Sequence, residues 1–284
     1  NRSARIVVSG FGDMVFELLE GRAPRATKNF IQLASSFYND KIFHRTTPGF
    51  VIQAGNVSID NNMFVQNPSP LGTYDDQFHF DLQHNRLGVL SAAKGADDTN
   101  GTDFFITARS TRALDFQHTV FGSLIEGEAN RDAINNTAVS LNPFAPPGEV
   151  SLPDIPVVIQ QVEIFDDQEN ATVILSAPEG TSGEAIATVT VEDEDGNRFQ
   201  RMFDITITPD TDDGNPFLVD IPAIATNPNE EVRFQLESLD VDGDLAGNGS
   251  PAVFLDEGTL SMNGLDVPVF AHPDLNYSVS WTTG

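Results

Sequence analysis

The chain has 284 residues, enough for one large domain or two ordinary ones, and 39% hydrophobic content with 21 Phe can build real cores. Its formal net charge of −27 makes nucleic acid and anionic membranes poor partners, and zero Cys excludes a disulfide framework, thiol catalysis and Cys-ligated zinc. No run approaches the roughly 18 apolar residues that a membrane helix requires, so membrane insertion is not expected.

The start, Asn1-Arg2-Ser3-Ala4, carries no basic-then-apolar leader and reads as a mature or trimmed form. Arg5 to Val8 and Asp13 to Leu19 read as a hairpin turning at Gly10-Phe11-Gly12, with Met14, Phe16 and Leu18 alternating. Pro24 suits a first helical position. Behind it Ala26, Phe30, Leu33, Ala34 and Phe37 recur at helical spacing, which predicts a helix from Pro24 to about Ser36. Two short strands, Ile42 to Arg45 and Phe50 to Ala54, flank a Pro48-Gly49 turn. Gln53 to Leu87 is loop-rich, a second helix is expected from about Glu128 to Asn135, and Pro143 to Pro156 with its five prolines reads as a loop. Val157 to Phe165 is a closing strand.

The run Asp166-Asp167-Gln168-Glu169 looks like a boundary. Before it, residues 1–165 hold 18 acids against 12 bases; after it there are 24 acids, three Arg and no Lys. That asymmetry argues for modules of different histories. Beyond the boundary helical periodicity ends. Thr172 to Leu175, Ala185 to Glu192, Phe199 to Thr208, Val232 to Leu236 and Pro268 to Phe270 read as strands between Gly, Pro and Asp turns, which is sandwich-like spacing. We therefore expect a mainly β chain: a first domain at 1–166, a partial β unit at 167–213 and a second β domain at 214–284. The end at Trp281-Thr282-Thr283-Gly284 reads as cut before its natural terminus.

Three ordered motifs carry the functional reading. Phe43 to Gly55 reads F-H-R-T-T-P-G-F-V-I-Q-A-G and places Arg45, Phe50 and Gln53 around the turn. Leu87 to Ile106 reads L-G-V-L-S-A-A-K-G-A-D-D-T-N-G-T-D-F-F-I, and Leu114 to Gly122 reads L-D-F-Q-H-T-V-F-G. A donor fork, an apolar floor and an amide on a sheet surface can grip a peptide. Taken singly, Arg45 reads equally well as a surface ion-pair residue, Phe50 and Phe105 as core, and His118 as a structural histidine. In this order, over residues 4 to 165, the motifs closely resemble the cyclophilins, the cyclosporin-binding family of peptidyl-prolyl cis-trans isomerases.

The resemblance implies a closed antiparallel barrel capped by two helices, and an activity that needs no cofactor. It makes Arg45, Gln53, Phe50, Phe105 and His118 the catalytic set. Val51, Ala93, Lys94, Asp103, Ala113 and Leu114 match positions that line the substrate groove. Phe50, Phe105 and Leu114 would hold the proline ring, Gln53 would fix the rotating carbonyl, and the backbone at Ala93 and Lys94 would hold the substrate extended. Three positions depart from the best-known drug-binding members: Ala113 replaces a rim Trp, Val51 a groove Met and Asp103 an amide. Cyclosporin is therefore expected to bind weakly, with activity retained.

The downstream segments Ala185 to Thr208 and Asn215 to Asp244 resemble bacterial immunoglobulin- or cadherin-like surface repeats. Their acidic turns, carrying Asp193, Asp195, Asp240, Asp242 and Asp244, read as solvated hairpin turns or as calcium loops; neither fits the twelve-residue helix-loop-helix pattern. The leading function is prolyl isomerisation of proline-containing polypeptides in a secreted, periplasmic or cell-surface bacterial protein. The alternatives are a non-catalytic proline-peptide binder and a calcium-dependent adhesion or spacer protein carrying a passenger isomerase.

Overall fold

The computed structural model describes residues 1–167, 170, 182–192 and 196–208, with the strand pieces 217–218, 238–239, 257–262 and 265–270. The five candidate calcium ligands lie outside the described residues. The chain divides into two compact units, Asn1–Ile174 and Leu175–Gly284.

In the first unit, the expected hairpin is β1 (Ser3–Val8) and β2 (Gly12–Leu18), and helix α1 runs Pro24–Ala34. The helix stops short of the expected Ser36. The Ser35 hydroxyl donates back to the Gln32 carbonyl, and Phe37 and Tyr38 turn onto the core. Next come β3 (Lys41–Thr47), β4 (Val51–Asp60), β5 (Met63–Gln66), β6 (Val89–Ala92), β7 (Phe104–Thr107) and a 3-10 turn at Arg112–Leu114. Strand β8 (Val120–Glu126), helix α2 (Glu128–Asn135), the pair β9 (Val139–Leu141) and β10 (Val150–Pro153), and β11 (Ile159–Phe165) complete it.

Two local expectations are corrected. Phe50 lies in the turn before β4 rather than in the strand, its N–H donating to the Thr47 carbonyl at 3.0 Å. The proline-rich segment is not all loop, because β9 and β10 pair antiparallel within it. Its prolines fit that pairing. Pro143, Pro146 and Pro147 fall in the connection and Pro153 at the strand end, where a missing N–H costs least.

A nine-stranded sheet runs β11-β1-β2-β8-β6-β7-β4-β3, with β5 added to β4. It curls until its ends meet. The seam is short: one bridge between Ile42 and Val158, and bonds from the Phe43 N–H to the Val157 carbonyl and the Asp40 N–H to the Ile159 carbonyl, both 2.9 Å. Helix α1 and the strands enclose an aromatic core. The Phe30 ring lies 5.1 Å from Tyr38, 5.5 Å from Phe104 and 5.3 Å from Phe121. Inward alternation on β4 and β7 supplies Ile52, Ala54, Phe104 and Ile106, so the intervening Gln53 and Phe105 face the outer surface of the sheet.

In the second unit, β12 (Gly183–Glu192) and β13 (Arg198–Ile207) form a ten-pair antiparallel hairpin where strands were expected. Two short pairs follow, Phe217–Leu218 with Ser238–Leu239 and Glu257–Met262 with Leu265–Phe270.

Candidate active site

Antiparallel register builds the site. Arg45 on β3 lies opposite Gln53 on β4, and Gln53 lies opposite Phe105 on β7. Directly opposed residues share a face, so these three side chains form one row on the outer surface. The register slips between Phe43 and Arg45, and this bulge lets Phe43 point into the core while Arg45 joins the row.

The turn between β3 and β4 is clamped from α2. Asn135 Oδ1 accepts the Gly49 N–H at 2.9 Å, and its Nδ2 donates to the Thr47 carbonyl at 3.1 Å. Gly49 has φ +67°, the left-handed region where glycine is unstrained. The clamp sets the path of the chain into Phe50, which is half-buried and whose carbonyl accepts the Ala108 N–H at 2.8 Å. Val51 is buried on the same face as Gln53.

Phe105 is 3% exposed although it lies on the outer face, because two histidines cover it. His84 stacks on its ring at 5.6 Å, and His118 meets it edge-on at 5.3 Å. His118 Nδ1 donates to the Ala92 carbonyl at 3.0 Å, which leaves Nε2 as an acceptor, and burial lowers the pKa of its ring. His84 is fully buried, with Nδ1 3.0 Å from Asp115 Oδ1 and Nε2 3.0 Å from Ser91 Oγ. Asp115 also accepts the His84 backbone N–H at 2.5 Å and pairs with Arg112. This network holds the aromatic floor. Leu114 is half-buried, and its carbonyl accepts the backbone N–H groups of Gln117 and His118. Ala113 is exposed on the same 3-10 turn.

The amide of Gln53 sits between an acid and a base. Its Nε2 lies 3.4 Å from His44 Nε2, and on the other side it helps to lower the pKa of the Asp103 carboxyl. Burial lowers the His44 pKa to about 4, so the ring is neutral at physiological pH. Asp103 accepts the Asn56 N–H at 2.6 Å. Gly55 makes that approach feasible: at φ +143°, a Cβ there would lie 2.5 Å from the Asp103 Cα. Burial pushes the Asp103 carboxyl up to about 7, against the opposing hydrogen bonds from Asn56, Thr102 and Gln53. A raised carboxyl pKa gives stability that is complete below the ordinary 3.8 and is lost as pH rises through about 7. Asp103→Asn is therefore expected to melt several degrees above the parent at pH 8, with the gap narrowing towards pH 5. A gap independent of pH would show that Asp103 does not titrate in this range.

Lys94 turns its ammonium away from the row into an acidic cluster. It pairs with Asp76 and, at 3.1 Å, with Asp97. The Ala93 N–H donates to the Asp103 carbonyl at 2.9 Å, so it serves the sheet.

Sequence reasoning missed four contributors: His44, His84, Asp115 and Glu149. Asp115 stood in the third motif without a role. Glu149 lay in the proline-rich segment, and no local pattern marks it. Its carboxylate grips Arg45 in a fork, Oε1 taking Nε–H at 2.6 Å and Oε2 taking Nη2–H at 3.2 Å. Arg45 in turn holds the Glu149 carboxyl below the usual carboxylate range.

A family model for the cyclophilin type peptidyl-prolyl cis-trans isomerases matches residues 4–164. The chain belongs to the cyclophilin family. The chicken (Gallus gallus) peptidyl-prolyl cis-trans isomerase-like 3 is 34% identical over 158 residues, which span 51% of this chain and 90% of that protein. The Cryptococcus neoformans peptidyl-prolyl cis-trans isomerase-like 2 is 36% identical over 57% of this chain and 27% of its own length. Among solved structures, a Cryptosporidium parvum cyclophilin type isomerase superposes with a TM-score of 0.50 at 30% identity, covering 58% of this chain and 98% of that one. The same protein has been solved in the presence of the dipeptide Ala-Pro. All these matches cover the cyclophilin part of the chain, and the curled sheet with two helices agrees with that fold.

Proposed function

We propose that this cyclophilin domain catalyses rotation about Xaa-Pro bonds of polypeptides at the Arg45–Gln53–Phe105 row. The observation that carries the reading is the register placing a guanidinium, an amide and an aromatic floor side by side on one face. Rotation about the peptide bond costs roughly 18–20 kcal/mol because the nitrogen lone pair is conjugated to the carbonyl. A guanidinium that donates to the prolyl nitrogen as it pyramidalises weakens the conjugation, and it bonds best to the twisted state. That is differential stabilisation of the transition state. Arg45 takes this role. Gln53 holds the rotating carbonyl, and Phe50, Phe105, Leu114 and His118 enclose the proline ring. The permanent charge of arginine requires no pH tuning.

Magnetisation-exchange NMR on a Xaa-Pro peptide with the intact chain tests the reading. Enhanced cis/trans exchange is expected. Binding without enhanced exchange would instead support a pure proline-peptide binder. The acidic composition and the strand-rich segment after residue 166 support the further reading of an exported or surface-bound bacterial isomerase that assists protein folding there. Calcium binding by the downstream acidic turns belongs to the same reading, and calcium-dependent melting of the intact chain would test it.

Cyclosporin is expected to bind weakly. The drug presents a large apolar face, and Ala113 offers that face neither area nor a ring N–H. Burying a large side chain is worth about 1.5–3 kcal/mol, or roughly one to two decades in affinity. Ala113→Trp is expected to tighten cyclosporin inhibition by about that factor, with little change in turnover of short peptides. Calorimetry on both proteins checks it, and tight binding by the parent would show that the Ala113 position does not limit the drug.

A further inference from the structure

We propose that Glu149 is a positioning residue for Arg45: it holds the guanidinium in the plane from which the remaining N–H groups meet the substrate. The inference rests on the proposed isomerase reading of the Arg45 row. Arginine offers five N–H donors in a rigid plane. Glu149 takes one from Nε and one from Nη2, which fixes that plane and leaves three donors, both on Nη1 and one on Nη2. Two parallel bonds define an orientation that a single bond cannot.

Glu149 is itself braced. Its Oε1 accepts the Ser151 hydroxyl at 2.6 Å. Ser151 is fully buried, and its oxygen accepts Asn142 Nδ2 at 2.9 Å. Asn142 Nδ2 also donates at 2.8 Å to the carbonyl of His44, the residue just before Arg45. The Asn142 N–H donates to the Glu149 carbonyl at 2.8 Å, closing the loop on itself. The Phe144 ring meets His44 edge-on at 6.0 Å. The proline-rich connection is thus tied both to Arg45 itself and to His44, the residue beside it on β3. An unbraced arginine would have to freeze its rotamers at the moment the substrate twists; here that ordering is complete beforehand.

A carboxylate on the guanidinium also offsets part of its charge, which opposes catalysis. Both side chains keep about a quarter of their area exposed, 26% for Arg45 and 22% for Glu149, so solvent screens that effect. Orientation is the larger influence. Glu149→Gln decides the sign, because the amide matches the carboxylate in shape but turns an N–H towards the guanidinium.

Three readouts on the intact chain test the inference. In Glu149→Gln, kcat for a Xaa-Pro peptide is expected to fall about tenfold, with KM within about twofold and melting close to the parent. Glu149→Asp should recover part of the loss. The Arg45 Nε–H resonance, sharp in the parent because Glu149 accepts that proton, should broaden through exchange with water. Should Glu149→Gln fail to fold, Ser151→Ala keeps the Glu149–Arg45 fork while removing the bonds from Ser151 to Glu149 and Asn142, and is expected to lower kcat in the same direction by a smaller factor. An active parent beside a variant of equal or higher kcat overturns the inference, as does an unchanged Nε–H resonance. A parent without turnover overturns the isomerase reading itself, and the inference with it.

Discussion

Arg45→Ala is expected to lower kcat/KM for Xaa-Pro peptides by roughly 10²–10³-fold, the loss seen when one preorganised transition-state donor is removed. The fold should survive. Arg45 is partly exposed, and without it Glu149 keeps its bond from Ser151 and some contact with solvent. With about a quarter of each side chain in solvent, the pair itself is worth about 1 kcal/mol, so the melting temperature should move by only a few degrees. Arg45→Lys should be nearly as inactive. An ammonium is a point charge that cannot grip Glu149 in a fork and donate to the prolyl nitrogen at the same time. Circular dichroism beside an exchange assay separates the two effects. Parental turnover in Arg45→Ala would end the mechanism, whereas a large loss of stability would assign Arg45 to the scaffold.

The largest effect on stability is expected at Asp115. Its carboxylate is 1% exposed and takes the His84 backbone N–H, approaches the His84 ring and pairs with Arg112. Asp115→Ala removes the acceptor of the buried His84 backbone N–H and the carboxylate beside its ring. Removing one partner of such a buried cluster costs about 3–5 kcal/mol, which for a domain of this size corresponds to a drop of roughly 10 °C in melting temperature. Asp115→Asn keeps one acceptor oxygen and should fall between. The change should also loosen the site, since His84 stacks on Phe105, which forms the floor of the row. Thermal melts followed by near-UV circular dichroism check it. A shift under about 2 °C would mean that water replaces the carboxylate and the cluster is not dry.

The acidic position in the groove shows how a substitution legible in sequence acquires its meaning in space. Asp103 stood out as a departure from an amide. Its proximity to neutral titration depends on its half-buried place just before β7, against a backbone that only Gly55 lets so close. Ala113 is the converse case, because its small, exposed side chain on the 3-10 turn adds nothing that the residue type did not already say.

Local pattern determined much of this protein. Alternation set β1 and β2 to within about two residues, since a half-buried strand needs period two, and β12 and β13 lie within two residues of runs read as strands. Helical spacing after Pro24 set α1, and α2 lies at the expected Glu128–Asn135. The three motifs, through their resemblance to the cyclophilins, implied that Arg45, Gln53 and Phe105 share one site. What the tertiary structure decided were partnerships between distant residues. Glu149 reaches Arg45 across 104 positions and Asp115 reaches His84 across 31. Such pairs depend on how far the sheet curls and where its register slips, and those follow from the packing of the whole core rather than from any short window. The prolines of the Asn142–Ser151 segment spell a loop to any local reading. Only the approach of that segment to β3 turns it into the hairpin that holds Arg45.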